Sequence, residues 1–520
     1  MLISLLLAAG SMSRSTATVD VPPSDPSIYF SDYNWIRSAA SAKTANPGAF
    51  LRCSFSGTSL ALLVDGAGLA GQTVKLRYIV DDRAMGFALP NATAANVIAL
   101  PVPALSGGRA LHTLELSLYA SKETTDRWLG GTKGSSYLVL SGLRLDAGAK
   151  LAPPPLVLPK RALVFGDSIT EVRWLLLPTL LPSCCRTSLT PRAASPQGTN
   201  AQLFDYDSAS CGLHNGQRFA AASPRSWAFG FGEAMQAETS NAAFAAQGYS
   251  TFNSIAGYGG VPPLLTLNDP KNTAWDKLDA EHTRLPLLAA RPPDFVISAE
   301  GFNDQVCSPG WKNRASFRCS NGNMSKAITQ WLKDVRAATS PTTTVVVLQP
   351  FGGEMRTKNL TRFAIQAGYD AYQSESCRAT APCDEHAMLV DLYPRAKLGL
   401  MGADPSVNCS GAFCSGQAPG PTANSCDGTH PLAHRHAHLG AMVAAEVAAR
   451  LATLESNKRA MKSDDTGAVR TTPPLRFITW NRFGCKGISG QVLIDTADSF
   501  VALGLDKLGY EFINSDDCWM

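Results

Sequence analysis

The sequence predicts a multidomain protein in which a β-sandwich of the jelly-roll type precedes an α/β domain, a three-layer sandwich with a parallel sheet. Three observations support this fold class. Residues 27–148 contain short runs of alternating apolar and polar side chains with no helical stretch between them. A proline-rich segment, 149–160, follows as a stiff linker. Residues 161–455 then alternate continuous apolar runs with segments of helical period, which is typical of a buried parallel sheet.

The β-module is predicted from a period of two. Apolar residues alternate with Lys, Arg, Thr, Glu or Ser over 74–78 and 113–118, and 137–145 forms a further run. Glycine, aspartate and asparagine separate these runs, as expected for turns between short strands.

The α/β domain is predicted from strands and helices that follow one another along the chain. Strands are expected at 162–165, 295–298, 344–348 and 388–390, and helices at 327–337 and 440–454. A segment rich in Cys, Ser and Asn, 181–224, interrupts this pattern and is expected to be a surface loop near the rim of the site.

Composition limits the classes of function. The 520 residues are 45% hydrophobic and 17% charged, which is typical of a globular protein. The net charge of +4, without a long basic run, gives no reason to expect nucleic acid as a partner. The apolar start of the chain predicts a secretory signal peptide over residues 1–18, and no other segment is long enough to cross a bilayer. We therefore expect a secreted protein.

The cysteines agree with export. Ten of the 13 lie between Cys184 and Cys426, several at short spacings such as Cys377/Cys383, and none forms a CxxC pair with the spacing of a zinc site. Disulfide bonds are expected, although their connectivity is not deducible from the sequence. Four sequons would carry glycans in a eukaryotic secretory pathway: Asn91, Asn323, Asn359 and Asn408.

The chemistry is expected to centre on Ser168. A short apolar run ends at Gly166, and a polar turn, Gly166-Asp167-Ser168, then carries a hydroxyl out of the predicted strand. That geometry suits a nucleophile at the carboxyl end of a parallel strand. Taken alone, the motif is also compatible with an ordinary turn.

Distant residues supply the groups that a serine nucleophile requires. His430 is the candidate base, and Asp427, three residues before it, can orient the imidazole. The glycine block 255–260 offers backbone N–H groups and Asn303 offers a side-chain amide, as an oxyanion hole requires. Either Gly257 or Gly259 could provide the backbone donor.

These ordered blocks resemble the SGNH (GDSL-like) hydrolases over residues 160–455, and together with the β-module they resemble carbohydrate esterase family 2. The resemblance implies the removal of acetyl groups from polysaccharides without a cofactor or metal. It assigns Ser168 as nucleophile, His430 as general base and Asp427 as its orienting acid. It also assigns Gly257 and Asn303, with the Ser168 N–H, to the oxyanion hole.

Neighbouring residues allow two interpretations. Asp167, Tyr258 and Phe302 are candidate substrate contacts, although the two aromatic residues could serve packing alone. The histidines at 434, 436 and 438 share spacing with metal-binding helices, but we expect them to be partly exposed side chains that open the last helix.

A polar linker, 456–471, precedes a unit at 472–520 that resembles the start of a family 27 α-galactosidase barrel, with a helix at 490–508 between two strands. The resemblance implies that Asp516 and Asp517 bind galactose and that Cys485 and Cys518 form a disulfide bond. A retaining glycosidase needs two carboxylates on either side of one bond, and that family places them on later strands. The unit is therefore expected to be a partial barrel.

The predicted function is a secreted serine esterase that deacylates carbohydrate. Two alternatives remain: an α-galactosidase, complete only in a longer chain, and a carbohydrate-binding protein with an inactive hydrolase core. The expected partner is an oligosaccharide or polysaccharide.

Overall fold

The computed structural model describes residues 17–69, 74–82, 84–88, 90–91, 94–105, 108–121, 137–167, 226–244, 247–250, 264–265, 267, 273–279, 281–301, 304, 321–349, 360–379, 383–392, 433–464, 475–478, 487–503 and 510–514. The chain divides into two compact units, 1–448 and 449–520.

The first part of the chain forms two antiparallel sheets. Their strands are β1 (Thr18–Val21), β2 (Tyr29–Phe30), β3 (Ile36–Arg37), β4 (Ala42–Thr44), β5 (Phe50–Phe55), β6 (Leu60–Asp65), β7 (Val74–Val80), β8 (Ala84–Ala88), β9 (Ala95–Leu100), β10 (His112–Ser121), β11 (Leu138–Asp146) and β12 (Leu151–Ala152). One sheet has the order β3-β4-β11-β6-β9, with β1 also paired to β11, and the other has the order β12-β5-β10-β7-β8, with β2 paired to β5.

The buried side chains of both sheets form one apolar cluster. Leu114, Leu116 and Leu118 of β10 all lie in it, as their alternation predicts. Lys75 departs from the predicted alternation because it is buried too, with its ammonium 3.6 Å from the centroid of the Phe87 ring. The jelly-roll connectivity stays a prediction.

The α/β part contains a parallel sheet of five strands, in the order β14-β13-β15-β16-β17. The strands are β13 (Lys160–Gly166), β14 (Ala237–Asn241), β15 (Phe295–Ala299), β16 (Thr344–Leu348) and β17 (Ala387–Val390). The helices are α1 (Trp227–Met235), α2 (Leu285–Ala290), α3 (Asn321–Ala338), α4 (Leu360–Ala379) and α5 (Ala433–Asp464).

Helices cover both faces of this sheet. On one face Leu163 and Phe165 of β13 pack against α3, where the Trp331 ring meets the Phe165 ring edge-on at 6.3 Å between centroids. On the other face Phe231 of α1 meets Phe295 of β15 at 5.4 Å. Because both faces are buried, the strands need apolar side chains at successive positions, which explains the continuous runs in the sequence.

Polar contacts join the β-module to the α/β part. Arg52 Nη1 lies 2.8 and 2.9 Å from the two carboxylate oxygens of Glu238, which is almost fully buried. The buried Arg284 donates from Nε to the Tyr33 carbonyl at 2.7 Å, and the Tyr33 N–H donates to Ser240 Oγ at 3.1 Å. Buried polar groups that are paired in this way specify one docking geometry.

The last helix of the α/β part is longer than predicted at both ends. This helix, α5, begins at Ala433 and continues to Asp464, so the first part of the segment predicted as linker, 456–471, is helical. The added residues include good helix formers such as Glu, Lys, Arg and Met, which extend the helix. They form no periodic apolar face from which the extension could be predicted. Within the described residues, a disulfide bond joins Cys377 and Cys383.

The second unit contains β18 (Leu475–Ile478), α6 (Gly490–Ala502) and β19 (Tyr510–Asn514), and the two strands pair in parallel. The Ser489 hydroxyl caps α6 by accepting from the Val492 N–H at 3.2 Å. This is the predicted strand–helix–strand order, with the helix ending earlier than expected. Ile494, Val501 and Leu503 are more than half exposed. Among the described residues, no helix combines the length and apolar character that crossing a membrane requires.

Candidate active site

The candidate site lies at the carboxyl edge of the parallel sheet. Strands β13 and β15 are neighbours, and Gly166 pairs with Ala299 in their register. The residues that follow directly, Asp167 and Glu300, are both buried. Two acidic side chains therefore stand side by side where two adjacent strands end, which is the edge that binds ligands in open α/β sheets.

Gly301 makes the turn after Glu300 possible. Its φ of +112° lies in the region that favours glycine. A Cβ at this position would lie 3.0 Å from Ile365 Cδ1, 3.1 Å from Met324 Cε and 3.2 Å from Thr361 Cγ2. Both the positive φ and the close side chains of Ile365, Met324 and Thr361 therefore favour glycine at position 301. The direction in which the chain leaves β15 depends on this glycine.

Asp304 connects this turn to a second segment. Its carboxylate accepts hydrogen bonds from the backbone N–H groups of Tyr249 at 2.8 Å and Ser250 at 3.1 Å, and from Ser250 Oγ at 3.2 Å. Tyr249 is buried, and its hydroxyl accepts from Ser298 Oγ at 2.8 Å. Asp304 thus clamps the chain that leads into the glycine block onto the chain that follows β15.

Glu300 is a fully buried carboxyl group whose two oxygens have no hydrogen-bond partner among the residues that the structure describes. Burial, together with the nearby carboxyl groups of Asp167 and Asp304, raises the pKa of Glu300 well above its usual value. An ionised carboxylate without donors would be costly in this position. We therefore expect the side chain to be neutral at neutral pH.

Helix α1 packs on the other face of the sheet, and its first residue lies towards the carboxyl edge. Only Gln236 separates α1 from β14, so the helix runs back along that strand. Thr239 Oγ1 donates to the Ala228 carbonyl at 3.4 Å, which places Ala228 beside the middle of β14. Trp227, at the start of α1, is therefore towards the carboxyl edge.

Helix α5 begins at the same place. The Trp227 N–H donates to His436 Nδ1 at 3.2 Å, so the neutral imidazole carries its proton on Nε2. At Gly440 a Cβ would come within 2.5 Å of the Trp227 carbonyl oxygen, which shows how closely the two helices approach. The chain that enters α5 at Ala433 therefore arrives near the edge where β13 and β15 end.

One predicted site residue, Asp167, is among the described residues. The others lie outside them: Ser168, Gly257, Tyr258, Phe302, Asn303, Asp427, His430, Cys485, Asp516, Asp517 and Cys518. The segments described on either side of Asn303, and the chain up to Asp167, converge on one edge. The individual catalytic roles stay predictions.

The sequence reasoning missed three residues that organise this edge: Glu300, Asp304 and His436. The first could have been found from its position, because it follows β15 as Asp167 follows β13. The prediction of partly exposed histidines is wrong for His436, which is fully buried, whereas His438 is exposed. No group of three or more potential metal ligands is present in the part of the chain that the structure describes.

Comparison with known proteins shows two separate likenesses. No family model matches the chain. Among curated sequences, an α-galactosidase of Cyamopsis tetragonoloba is 52% identical over 48 residues, which is 9% of this chain and 11% of that protein. An α-galactosidase of Oryza sativa is 39% identical over 83 residues, 16% of this chain and 19% of that protein. The chain thus spans less than a fifth of the length of these relatives, and the predicted resemblance to α-galactosidases is confirmed over that short stretch.

The structural likeness covers far more of the chain. A family two carbohydrate esterase of Cellvibrio japonicus superposes with a TM-score of 0.55 at 15% identity, covering 84% of this chain and 99% of the esterase. A family two carbohydrate esterase of Clostridium thermocellum, solved with cellohexaose, has a TM-score of 0.51 at 15% identity, covering 82% and 99%. An acetyl xylan esterase of Butyrivibrio proteoclasticus has a TM-score of 0.52 at 11% identity, covering 84% and 98%. The predicted resemblance is therefore confirmed at the level of the fold, which this chain shares with the family two carbohydrate esterases.

Proposed function

We propose that the protein is a serine esterase of the SGNH type that hydrolyses O-acyl esters, in particular O-acetyl esters, on carbohydrate. Ser168 is the nucleophile, His430 the general base and Asp427 the residue that orients His430. Gly257, Asn303 and the Ser168 N–H form the oxyanion hole.

A single observation supports the proposal: the described residues nearest to Ser168, Asn303 and His430 lie at or near one edge of the sheet. Ser168 follows Asp167 directly, and Asn303 precedes Asp304 directly. The third segment enters α5, whose first turns contact Trp227 at the same edge. This placement of the flanking residues supports a site in which a nucleophile, a base and an oxyanion donor meet, as the proposed chemistry requires.

The reaction follows from these roles. Ser168 Oγ attacks the ester carbonyl while His430 takes the hydroxyl proton, and the tetrahedral oxyanion is stabilised by the three donors. Collapse of this intermediate breaks the bond to the sugar oxygen, which receives the proton from His430. Water, activated by His430, then hydrolyses the acyl-enzyme to release the acid and restore Ser168.

The substrate class is supported by the fold. The neighbours include an enzyme named as an acetyl xylan esterase and one solved in complex with cellohexaose. An acetylated polysaccharide is therefore the substrate we propose for this chain. The apolar first residues and the abundance of cysteine support secretion.

The proposal is tested by replacing the nucleophile. Ser168→Ala should lower the rate of p-nitrophenyl acetate hydrolysis by about 10⁴-fold or more, because the reaction loses its covalent route. Ser499→Ala, which removes an exposed hydroxyl from α6, is the matched control and should keep the wild-type rate. Retained activity in Ser168→Ala would exclude the mechanism. A wild-type chain that binds carbohydrate but releases no acetate would support the binding-protein alternative.

A second candidate, α-galactoside hydrolysis, is favoured by the 52% identity over 48 residues. Asp516 and Asp517 would bind galactose, whereas the resemblance places the pair of carboxylates that cleaves the bond on later strands of the barrel. We expect this chain to release no p-nitrophenol from p-nitrophenyl α-galactoside. Release of p-nitrophenol that persists in Ser168→Ala would establish a second active site.

A further inference from the structure

A cleft separate from the catalytic edge lies between the β-module, the proline-rich segment and the end of α2. It has a volume of about 320 Å³, within the range of roughly 300–1,000 Å³ typical of ligand sites. It is lined by Pro26, Ile28, Tyr29, Phe30, Asp32, Arg37, Pro153, Pro154, Val157 and Arg291. Seven of these ten residues are apolar or aromatic, and the wall also carries two guanidinium groups and one carboxylate.

The cleft is far from the proposed chemistry. Arg291 precedes β15, and Pro153, Pro154 and Val157 precede β13, so these residues are at the amino edge of the sheet. The catalytic segments leave the carboxyl edge. Seven residues of β13 separate the two edges, a distance of about 20 Å. A ligand in this cleft would not occupy the catalytic site.

The carboxylate in the wall is already compensated. Asp32 accepts from the Tyr29 hydroxyl at 2.7 Å. It also pairs with the buried Arg161 at 2.7 Å and with Arg291 at 3.1 Å. Asp32 is therefore held between two cations and a hydroxyl, and it does not leave the cleft negatively charged.

Arg37 is the cation that lacks such a partner. Its guanidinium lies 4.5 Å from the centroid of the Phe30 ring and donates one hydrogen bond, at 3.3 Å, to the Pro23 carbonyl. Among the described residues no carboxylate pairs with it. Arg37 is exposed at the mouth of the cleft, and partial desolvation of its guanidinium lowers its pKa. Most of its five N–H groups remain available, in the planar fork that matches a carboxylate.

We propose that this cleft binds an acidic sugar residue of the polysaccharide, with its anionic group on Arg37 and the apolar face of its ring against the proline and aromatic side chains. A uronic acid carboxylate fits the guanidinium fork, and a sulfate ester shares that chemistry. The inference rests on the proposed function for the carbohydrate class of the ligand. It assigns the β-module and linker a part in holding the polymer away from the reacting ester.

Binding is measured by calorimetry on the full chain with three oligosaccharides of equal length that carry no acyl ester. The probes are a galacturonate trimer, a sulfated galactose trimer and a neutral cellotriose. The galacturonate trimer should bind, and Arg37→Gln should weaken its binding about tenfold or more, because a charge-assisted hydrogen-bonded pair is lost. Arg109→Gln, an exposed arginine outside the cleft, removes the same charge and should leave the affinity unchanged.

The remaining outcomes identify the anionic group of the ligand or overturn the proposal. Binding of the sulfated trimer alone, with the same dependence on Arg37, would identify the anion as a sulfate ester. Arg37→Lys keeps the charge without the fork and should bind with intermediate affinity, and thermal unfolding shows whether each variant is folded. Equal binding of cellotriose, or no effect of Arg37→Gln in a folded protein, would overturn the proposal. Because these probes contain no acyl ester, their binding does not depend on esterase activity. Binding without any hydrolysis of acyl esters by the protein would refute the proposed function and leave the cleft assignment standing.

Discussion

Replacing Glu300 with glutamine removes the ionisation of a buried carboxyl group and keeps its shape. In the folded protein the pKa of Glu300 is raised by burial and by the carboxyl groups of Asp167 and Asp304. In the unfolded chain the group titrates near its ordinary pKa of 4.5. Between these two values the native protein holds a proton that the unfolded chain has released. The contribution of the Glu300 carboxyl group to the stability of the fold is thus fully present below pH 4.5. It is lost as the pH rises towards the pKa of Glu300 in the folded state.

The magnitude follows from this one proton. Over that interval Glu300 lowers the free energy of unfolding by about 1.4 kcal/mol for each pH unit. Glu300→Gln carries no such dependence, because the amide does not titrate. A constant offset between the two proteins is expected as well, because the glutamine amide is also buried without partners.

Urea unfolding of both proteins, in steps of one unit from about pH 5 to about pH 8, measures the difference. The stability of the wild type should fall relative to Glu300→Gln as the pH rises. Glu233→Gln, on an exposed part of α1, controls for the amide substitution itself and should follow the wild type. Parallel stability curves for the wild type and Glu300→Gln would refute the claim that Glu300 is protonated in the fold.

Two further substitutions test the turn that follows β15. Gly301→Ala should lower the free energy of unfolding by about 2–5 kcal/mol, since it adds backbone strain and crowding. Gly148→Ala, which has a φ of +81° and no atom within 4 Å of the added Cβ, should show the strain alone, and equal losses in urea unfolding would refute the crowding argument. Asp304→Ala should cost about 2–4 kcal/mol by the same measurement, because two backbone donors lose their acceptor. Asp65→Ala removes an acceptor from one exposed donor and should cost far less, and a similar loss in both would refute the clamp.

Much of the fold could be predicted from the residues alone. The strand at Thr344–Leu348 has the predicted bounds, and those at β13, β15 and β17 differ by one or two residues at an end. Continuous apolar runs bounded by turn residues indicate where these strands begin and end, because a strand buried on both faces has apolar side chains at successive positions. The helix α3 was predicted from Trp331 and its neighbours at helical spacing, and that face is buried.

The ends of polar elements could not be predicted in the same way. Helix α5 runs ten residues beyond its expected end at Leu454, to Asp464, through residues that favour helix without facing a core. Likewise Lys75 occupies a position that alternation assigns to solvent, and its contacts with the Phe87 and Tyr119 rings of the two neighbouring strands accompany its burial. A pattern in one strand contains no information about the side chain beside it.

The sequence by itself determined the order of the motifs and the residue types that a serine esterase requires, because a nucleophile, a base and oxyanion donors are recognisable by their chemistry. Only the tertiary structure decided which groups lie at the edge where the described parts of these segments end. The pKa of Glu300 is raised because the group is buried and because strand pairing and a turn bring Asp167 and Asp304 near it. His436 anchors α5 because α1 presents the Trp227 N–H to it. These effects depend on distances of a few ångströms between residues far apart in the chain, since desolvation and hydrogen bonding act only at contact.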